Sequence, residues 1–333
     1  MKPFLSITIP TYNRCETLKA NLSKIVEELD SEIEILVSDN ASTDGTEALC
    51  RQYQERFSFF NYHRNEFNLG YDLNVLNCVE LCSGHYIWFL SDDDFVNGKL
   101  IKEVVAELKK EKPDGALINA TVVNPQSGIV LIDNLGGCNT DYLTLVGTAE
   151  FIDYSKWATL ISSLIVRRDL IEFNPLSEHV GSCFIQVPLF WRALYQRRLY
   201  VLGSKRIIKN DGIGDNFNQH SSKLWLLNWI ATISSLCDLY TLESCRRAAT
   251  SLYPKAFYAP GSLVMHVIQA RGGGVLSSSN KKVVVDGLDI NFAQRLLIDA
   301  IVYVPVSLVD CLFWIARRFA RVVRTARRRL DCA

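Results

Sequence analysis

Several common signatures are missing from this chain of 333 residues, and each absence narrows the reading. It has ten cysteines but no Cys-x-x-Cys pair. Their spacings match neither a zinc site nor a disulfide framework, so they read as reduced core thiols of a cytosolic protein. No Gly-x-Gly-x-x-Gly follows the first strand, which argues against a dinucleotide-binding dehydrogenase. Met1 to Pro10 reads as a strand, without the charged n-region and long apolar h-region of a signal peptide. Internal repeats and low-complexity segments are absent. A spanning helix needs about 20 apolar residues. The best stretch, Leu296 to Ala316, is interrupted by Asp299, Pro305 and Asp310.

Net charge is also missing, because 36 basic residues balance 36 acidic ones. The balance hides an asymmetry. Residues 317–333 hold seven arginines (Arg317, Arg318, Arg321, Arg324, Arg327, Arg328 and Arg329) and one acid, Asp331, so this tail is +6 and the remainder −6. A basic tail on an acidic body predicts one polyanionic partner for the tail and no nucleic acid bound along the chain.

At 48% apolar residues the chain can bury a substantial core. Phe4 to Ile9 alternates as a strand, Pro10 to Arg14 breaks it, and Leu18, Leu22, Ile25, Val26 and Leu29 follow at helical spacing. Ile33 to Val37 predicts a second strand and Ser38 to Gly45 a loop, with a capped helix running through Tyr53. A strand over 59–64, a loop over 65–70 and a helix over 71–82 come next. The order β-α-β-α-β-α-β predicts a parallel sheet with crossover helices.

The stretch Tyr86 to Phe95 organises the rest. An apolar run, Ile87 to Leu90, stops at Ser91 and three carboxylates, Asp92, Asp93 and Asp94. That is how a buried strand arrives at its carboxyl end, where ligands bind in open α/β sheets. Adjacent carboxylates repel, and a hard divalent cation, Mg²⁺ or Mn²⁺, would relieve them and hold a diphosphate. The plainer reading is a solvated turn that caps the next helix. At the earlier strand ends, Tyr12 is placed to stack on a flat ring and Asp39 to accept hydrogen bonds from a base or ribose.

Four motifs in order then resemble those of family 2 glycosyltransferases. They are Ile9-Pro10-Thr11-Tyr12-Asn13-Arg14, Val37 to Thr46, Asn68-Leu69-Gly70 and Leu90-Ser91-Asp92-Asp93-Asp94. The likeness covers roughly residues 4–115. It implies the α/β nucleotide-diphospho-sugar transferase (GT-A) fold with a mostly parallel sheet. It also implies a nucleotide pocket lined by Pro10, Tyr12 and Arg14, base contact by Asp39, ribose or sugar contact by Asp92, and a metal-diphosphate at Asp93. The family's Asp-x-Asp-Asp reads Ser91-Asp92-Asp93-Asp94 here, so Asp94 is an alternative ligand. Sugar nucleotidyltransferases share the fold, but their glycine-rich N-terminal loop is missing. Within the family, the Ser-Asp-Asp-Asp variant is similar to bacterial O-antigen transferases, among them the abequosyltransferases that use a CDP-dideoxyhexose.

A helix is expected over 98–112, strands over 116–123, 129–132 and 160–168, and a loop over 133–150. In inverting relatives a carboxylate takes the proton of the acceptor hydroxyl. By resemblance it precedes a helix carrying an arginine, here Val187 to Tyr195 with Arg192. The expected position falls near Gln186, which is no acid. Glu178 and His179 are the nearest titratable candidates for this catalytic role, with Glu172 and Asp153 weaker. Lys209 to Asn216 reads as a loop that could close over donor phosphate, with Lys209 or Lys205 neutralising charge, or as a plain surface turn. Lys223 to Leu242 reads as a core helix. Residues 271–280 read as a linker.

These readings divide the chain into a nucleotide-sugar half (1–115), an acceptor half with helices (116–270) and amphipathic, basic helices that associate with a membrane (281–333). Phe313, Trp314, Phe319 and Val322 among the arginines suit an interfacial segment, and each arginine contributes about 1 kcal/mol beside an anionic leaflet. The expected protein is therefore a peripheral enzyme on the cytoplasmic face of the inner membrane. It would move a sugar from a nucleotide-sugar donor to a polyprenyl-diphosphate-linked saccharide. The other reading is a catalytically silent nucleotide-sugar-binding scaffold in a membrane assembly.

Overall fold

The computed structural model describes residues 2–26, 31–211, 223–253, 262–305 and 308. It divides into two compact units, 1–215 and 216–333. In the first, strands β1 (Leu5–Thr11), β2 (Ile33–Asp39), β3 (Phe60–Arg64) and β4 (Tyr86–Phe89) alternate with helices α1 (Cys15–Ile25), α2 (Thr46–Arg56) and α3 (Tyr71–Leu81). These are the elements expected from the sequence, with ends moved by a few residues. Helix α4 (Gly98–Glu111) follows. Its N-cap Asn97 accepts the Leu100 amide at 2.8 Å, and Ile101, Val104, Val105 and Leu108 are buried.

One nine-stranded sheet runs β3-β2-β1-β4-β8-β5-β9-β7, with β6 paired to β5. The remaining strands are β5 (Gly115–Val123), β6 (Val130–Ile132), β7 (Asp141–Leu145), β8 (Leu164–Arg167) and β9 (Arg198–Asn210). β1 to β5 and β9 share one direction; β6, β7 and β8 oppose it. On β1, Leu5, Ile7 and Ile9 are buried on one face and Ser6 and Thr8 on the other, as a strand covered on both faces requires. The register pairs Thr11 with Asp39 and Asp39 with Arg64, so three strand ends fall in line.

Two segments differ from expectation. Residues 133–150 hold β7 and the start of helix α5 (Thr148–Tyr154), where a loop was expected. β7 is a half-exposed edge strand, so it lacks the apolar run that marks a buried one. Of the loop expected over Lys209 to Asn216, Lys209 and Asn210 are instead the end of β9, paired with Val122 and Val123 of β5. Lys205 pairs with Glu103 at 3.5 Å. The rest of that expected loop, 212–216, lies outside the described residues.

Entry into β4 is fixed tightly. Buried Glu34 accepts from Ser6, from the Ser83 amide (2.8 Å) and from Asn61 (2.8 Å), and the Gly84 amide donates to Ser6 at 2.8 Å. A Cβ on Gly84 would lie 2.6 Å from the Ser6 backbone nitrogen. Gly84→Ala is therefore expected to cost about 1–3 kcal/mol by overpacking, read as a lower urea midpoint; an unchanged midpoint would contradict this packing.

The second unit holds a π-helical turn (Lys223–Asn228) and helices α7 (Trp229–Ser234), α8 (Leu242–Thr250), α9 (Leu263–Gly272), α10 (Lys281–Gly287) and α11 (Phe292–Tyr303). The single core helix expected over 223–242 is thus broken into shorter pieces. Trp229 is buried, and its indole donates to Ala249 O at 3.0 Å. Helix α11 stops before Pro305, which disfavours helical backbone at the preceding residue. Among the described residues, no helix is long and apolar enough to cross a membrane. The arginine-rich tail expected to meet the membrane lies outside them.

Candidate active site

The loops after β1 and β2 are clasped together. The Asn13 amide donates to Ser42 Oγ (2.9 Å), the Thr43 amide to Asn13 Oδ1 (2.8 Å) and the Cys15 amide to Asp44 (3.0 Å). Asn13 and Ala41 take left-handed backbone angles (φ 53° and 63°). For alanine that conformation costs of order 1 kcal/mol or more and persists where its surroundings fix it, as at binding sites. Pro10 is half-buried, Tyr12 is 39% exposed, and the Arg14 guanidinium reaches to 3.8 Å from Asp93 Oδ2.

Asp39 ends β2 wholly buried. Its carboxylate accepts from Tyr62 OH (2.7 Å) and the Ser42 amide (2.9 Å), and Arg64 lies 3.9 Å away. Burial and the bond to Asp39 push the Tyr62 phenol up, so it stays protonated and donating. Beside it, Asn40, Asn65, Asn68, Asn74 and Ser38 form a closed network. Asn40 binds Asn68 at 2.7 Å and accepts the Leu69 amide at 2.9 Å, and Ser38 donates to Asn74 at 2.7 Å. This network pins the Asn68-Leu69-Gly70 turn to the end of β2.

The three carboxylates after β4 diverge. Asp92 turns inward and accepts Thr11 Oγ1 at 2.7 Å. Asp94 is buried too, accepting Ser162 Oγ at 2.6 Å, while Asn21 holds its carbonyl at 2.8 Å. Asp93 faces outward, 20% exposed, with one oxygen accepting Ser91 Oγ at 2.5 Å and the other toward Arg14. Asn210 at the end of β9 donates to the Asp93 carbonyl at 2.5 Å. Burial, with the Asp93 charge beside it, raises the Asp92 carboxyl to about 7; the same two causes raise Asp94.

These shifts carry a sign for stability. Between about pH 4 and 7 the folded metal-free protein binds more protons at Asp92 and Asp94 than the unfolded chain does. Stability therefore falls as pH rises through that window. A differential scan is expected to show a lower Tm at pH 8 than at pH 5.5 without metal, with Mn²⁺ restoring more of it at pH 8. A metal-free Tm that rises with pH would contradict this.

A further buried acid was not singled out from the sequence. Asp72, in the first turn of α3, accepts the amides of Gly181 (2.7 Å), Cys183 (2.9 Å) and Ile185 (3.2 Å). It thereby ties α3 to the segment leading into α6 (Gln186–Leu194). Gly181 and Cys183 both take positive φ there (92° and 61°), so Asp72 stabilises an unusual backbone path. Gln186 is buried; its side chain donates to Thr159 O and accepts from Tyr71 OH, both at 3.4 Å. Burial, then the Asp72 charge and more weakly that of Asp93, raises the Tyr71 phenol well above its usual range. Glu178 is exposed and His179 buried, in the 3-10 turn Asn174–His179 just before this segment.

The structure therefore brings Tyr12, Arg14, Asp39, Asp92 and Asp93 to one end of the sheet. An exposed ring, a cation and an outward carboxylate there suit a nucleoside diphosphate. The fold and site define a GT-A-type nucleotide-sugar transferase. The model of glycosyl transferase family 2 matches residues 6–132. The chain is 45% identical, over 266 residues (73% of this chain and 78% of the relative), to abequosyltransferase RfbV of Salmonella typhimurium. It is 29% identical over 114 residues to GalNAc(5)-diNAcBac-PP-undecaprenol beta-1,3-glucosyltransferase of Campylobacter jejuni, covering 34% of this chain and 36% of that one. The crystal structure of Staphylococcus aureus TarS 1–349 in complex with UDP-GlcNAc shares the fold, with a TM-score of 0.61, 16% identity and coverage of 90% and 89%. The chain belongs to glycosyl transferase family 2.

Proposed function

We propose that this glycosyltransferase takes a CDP-activated dideoxyhexose, abequose, as its donor and a polyprenyl-diphosphate-linked saccharide as its acceptor, in O-antigen assembly. The donor follows the 45% identical relative, and the lipid-linked acceptor follows the undecaprenol named for the Campylobacter relative. Outward-facing Asp93 is the observation that carries the transferase chemistry. Pro10, Tyr12, Arg14 and Asp39 form the nucleotide side and Asp92 the ribose or sugar side.

Asp93 suits Mg²⁺ or Mn²⁺. Such ions bind through one or two protein carboxylates and complete their shell with phosphate oxygens and water. Among the described residues no cluster of three ligating side chains exists, and none is required for that arrangement. Asp94 is the second possible ligand, though its carboxylate is engaged with Ser162. Bound there, the cation would supply charge that stabilises the leaving diphosphate. Arg14 adds a second positive charge beside it. Glu178 or His179 takes the acceptor proton. The enzyme works as a peripheral protein on the cytoplasmic face of the inner membrane, where its arginine-rich tail meets anionic lipid.

Incubating the protein with CDP-abequose and a lipid-linked saccharide, and following the acceptor mass, tests this reading. The acceptor should gain one dideoxyhexose; no gain with any nucleotide-sugar would overturn it. Gln186, an amide near the position where the family resemblance leads one to expect an acid, favours the silent-scaffold alternative. Under that reading, donor hydrolysis without acceptor would not exceed that of Asp93→Asn.

A further inference from the structure

Helix α11 is apolar on two opposite faces, and only one of them is covered. Ile298, Ile301 and Val302 are buried where the helix packs on α9 and α10. On the other side Phe292, Leu296 and Tyr303 are 75%, 52% and 67% exposed. At about 100° per residue these three, with exposed Ala293 and Ala300, share an arc of about 100°. A helix apolar nearly all round is normally enclosed. Among the described residues, none covers this stripe.

The polar residues beside the stripe suit a negatively charged surface. Asp299, the acid nearest its centre, is neutralised by Lys281 at 2.6 Å, and that ammonium also sits 4.8 Å from the centre of the Tyr303 ring. Arg295 is exposed along one margin. Leu308, shortly after the helix, is 55% exposed. The chain then leads into residues 317–333, with seven arginines and one acid. An apolar stripe, an amphipathic aromatic and a strongly cationic continuation are what an interfacial helix presents to anionic lipid.

We propose that the Phe292-Leu296-Tyr303 stripe of α11 is the lipid-docking face of this protein, lying in the interface of an anionic bilayer. The inference rests on the lipid-linked-acceptor reading and assigns the membrane contact to named side chains. The arginine tail supplies long-range attraction, and the stripe supplies apolar burial and fixes which side of the helix meets the membrane.

The test is co-sedimentation of the full chain with vesicles of phosphatidylglycerol and phosphatidylethanolamine, comparing wild type with a Phe292→Ser, Leu296→Ser double variant that keeps the tail. The partition coefficient should fall at least about tenfold in the variant, with Tm and donor hydrolysis unchanged. Equal binding of the two would overturn the proposal and leave the tail as sole anchor. No vesicle binding by wild type would overturn it too. A wild-type dimer in sedimentation velocity that the variant dissociates would show that a second copy covers the stripe. Donor hydrolysis is read on the same samples, so loss of the transferase reading is distinguishable from loss of this one.

Discussion

Replacing Asp93 by Asn is expected to lower sugar transfer by roughly 10³-fold while leaving the protein folded. Asp93 is the one carboxylate of its cluster that faces outward, and Asp92 and Asp94 spend theirs on Thr11 and Ser162. Asparagine keeps the shape and the bond from Ser91 and removes the charge. The same charge raises the carboxyls of Asp92 and Asp94, so its removal should also make the metal-free protein more stable at pH 8. Activity and stability then move in opposite directions. Steady-state kinetics with Mn²⁺ and a differential scan without it read the two effects. Loss of less than tenfold in kcat would place the cation elsewhere.

The second large effect is expected at Asp72. Alanine there strands the amides of Gly181, Cys183 and Ile185 inside the protein. Orphaned buried donors cost about 1–3 kcal/mol each, and partial relaxation of the segment brings the expected total to about 3 kcal/mol. Hydrogen exchange should show these three amides opening about 100-fold more readily. Because Asp72 sits in α3 and the amides lead into α6, acceptor KM should rise while nucleotide affinity holds. Asp72→Asn, which keeps one accepting oxygen, should show a smaller effect. Unchanged exchange at Cys183 would sink this account.

The first half of the fold was legible because each element carried a strong local signal. β1 alternates apolar and small polar residues, β2 and β4 are apolar runs ended by polar residues, α1 repeats at helical spacing, and turn and capping residues mark the start of α2. Asp39, Asp92 and Asp93 were visible for the same reason, since strand ends in a parallel sheet converge. Asp72 was hidden. It looks like an ordinary first-turn helical acid, and its partners lie more than 100 residues away. Ser162, Asn21 and Asn210 were hidden likewise, because each reaches the carboxylate loop from a distant element. β7 and the end of β9 were misread since edge and half-exposed strands alternate weakly. The repeated asparagines at 65, 68, 74 and 77 were the missed signal for the network that holds Gly70 in place.

Gln186 shows where family logic and this chain part. It lies near the position expected for an acid, and its amide donates to Thr159 O and accepts from Tyr71 OH, so it cannot act as a proton acceptor. Under the proposed reaction, Glu178 and His179 are the candidates for removing the acceptor proton; they precede the segment that Asp72 fixes.

The central claim is that Tyr12, Arg14, Asp39 and Asp93 bind a nucleoside diphosphate with a divalent cation. Calorimetric titration with CDP, UDP, GDP and dTDP, with and without Mn²⁺, in wild type and Asp93→Asn tests it directly. The account predicts that one nucleotide, CDP, binds tightly only with Mn²⁺ and that Asp93→Asn abolishes the metal dependence. Binding of no nucleotide, or equal binding of CDP to both proteins with and without metal, would contradict it.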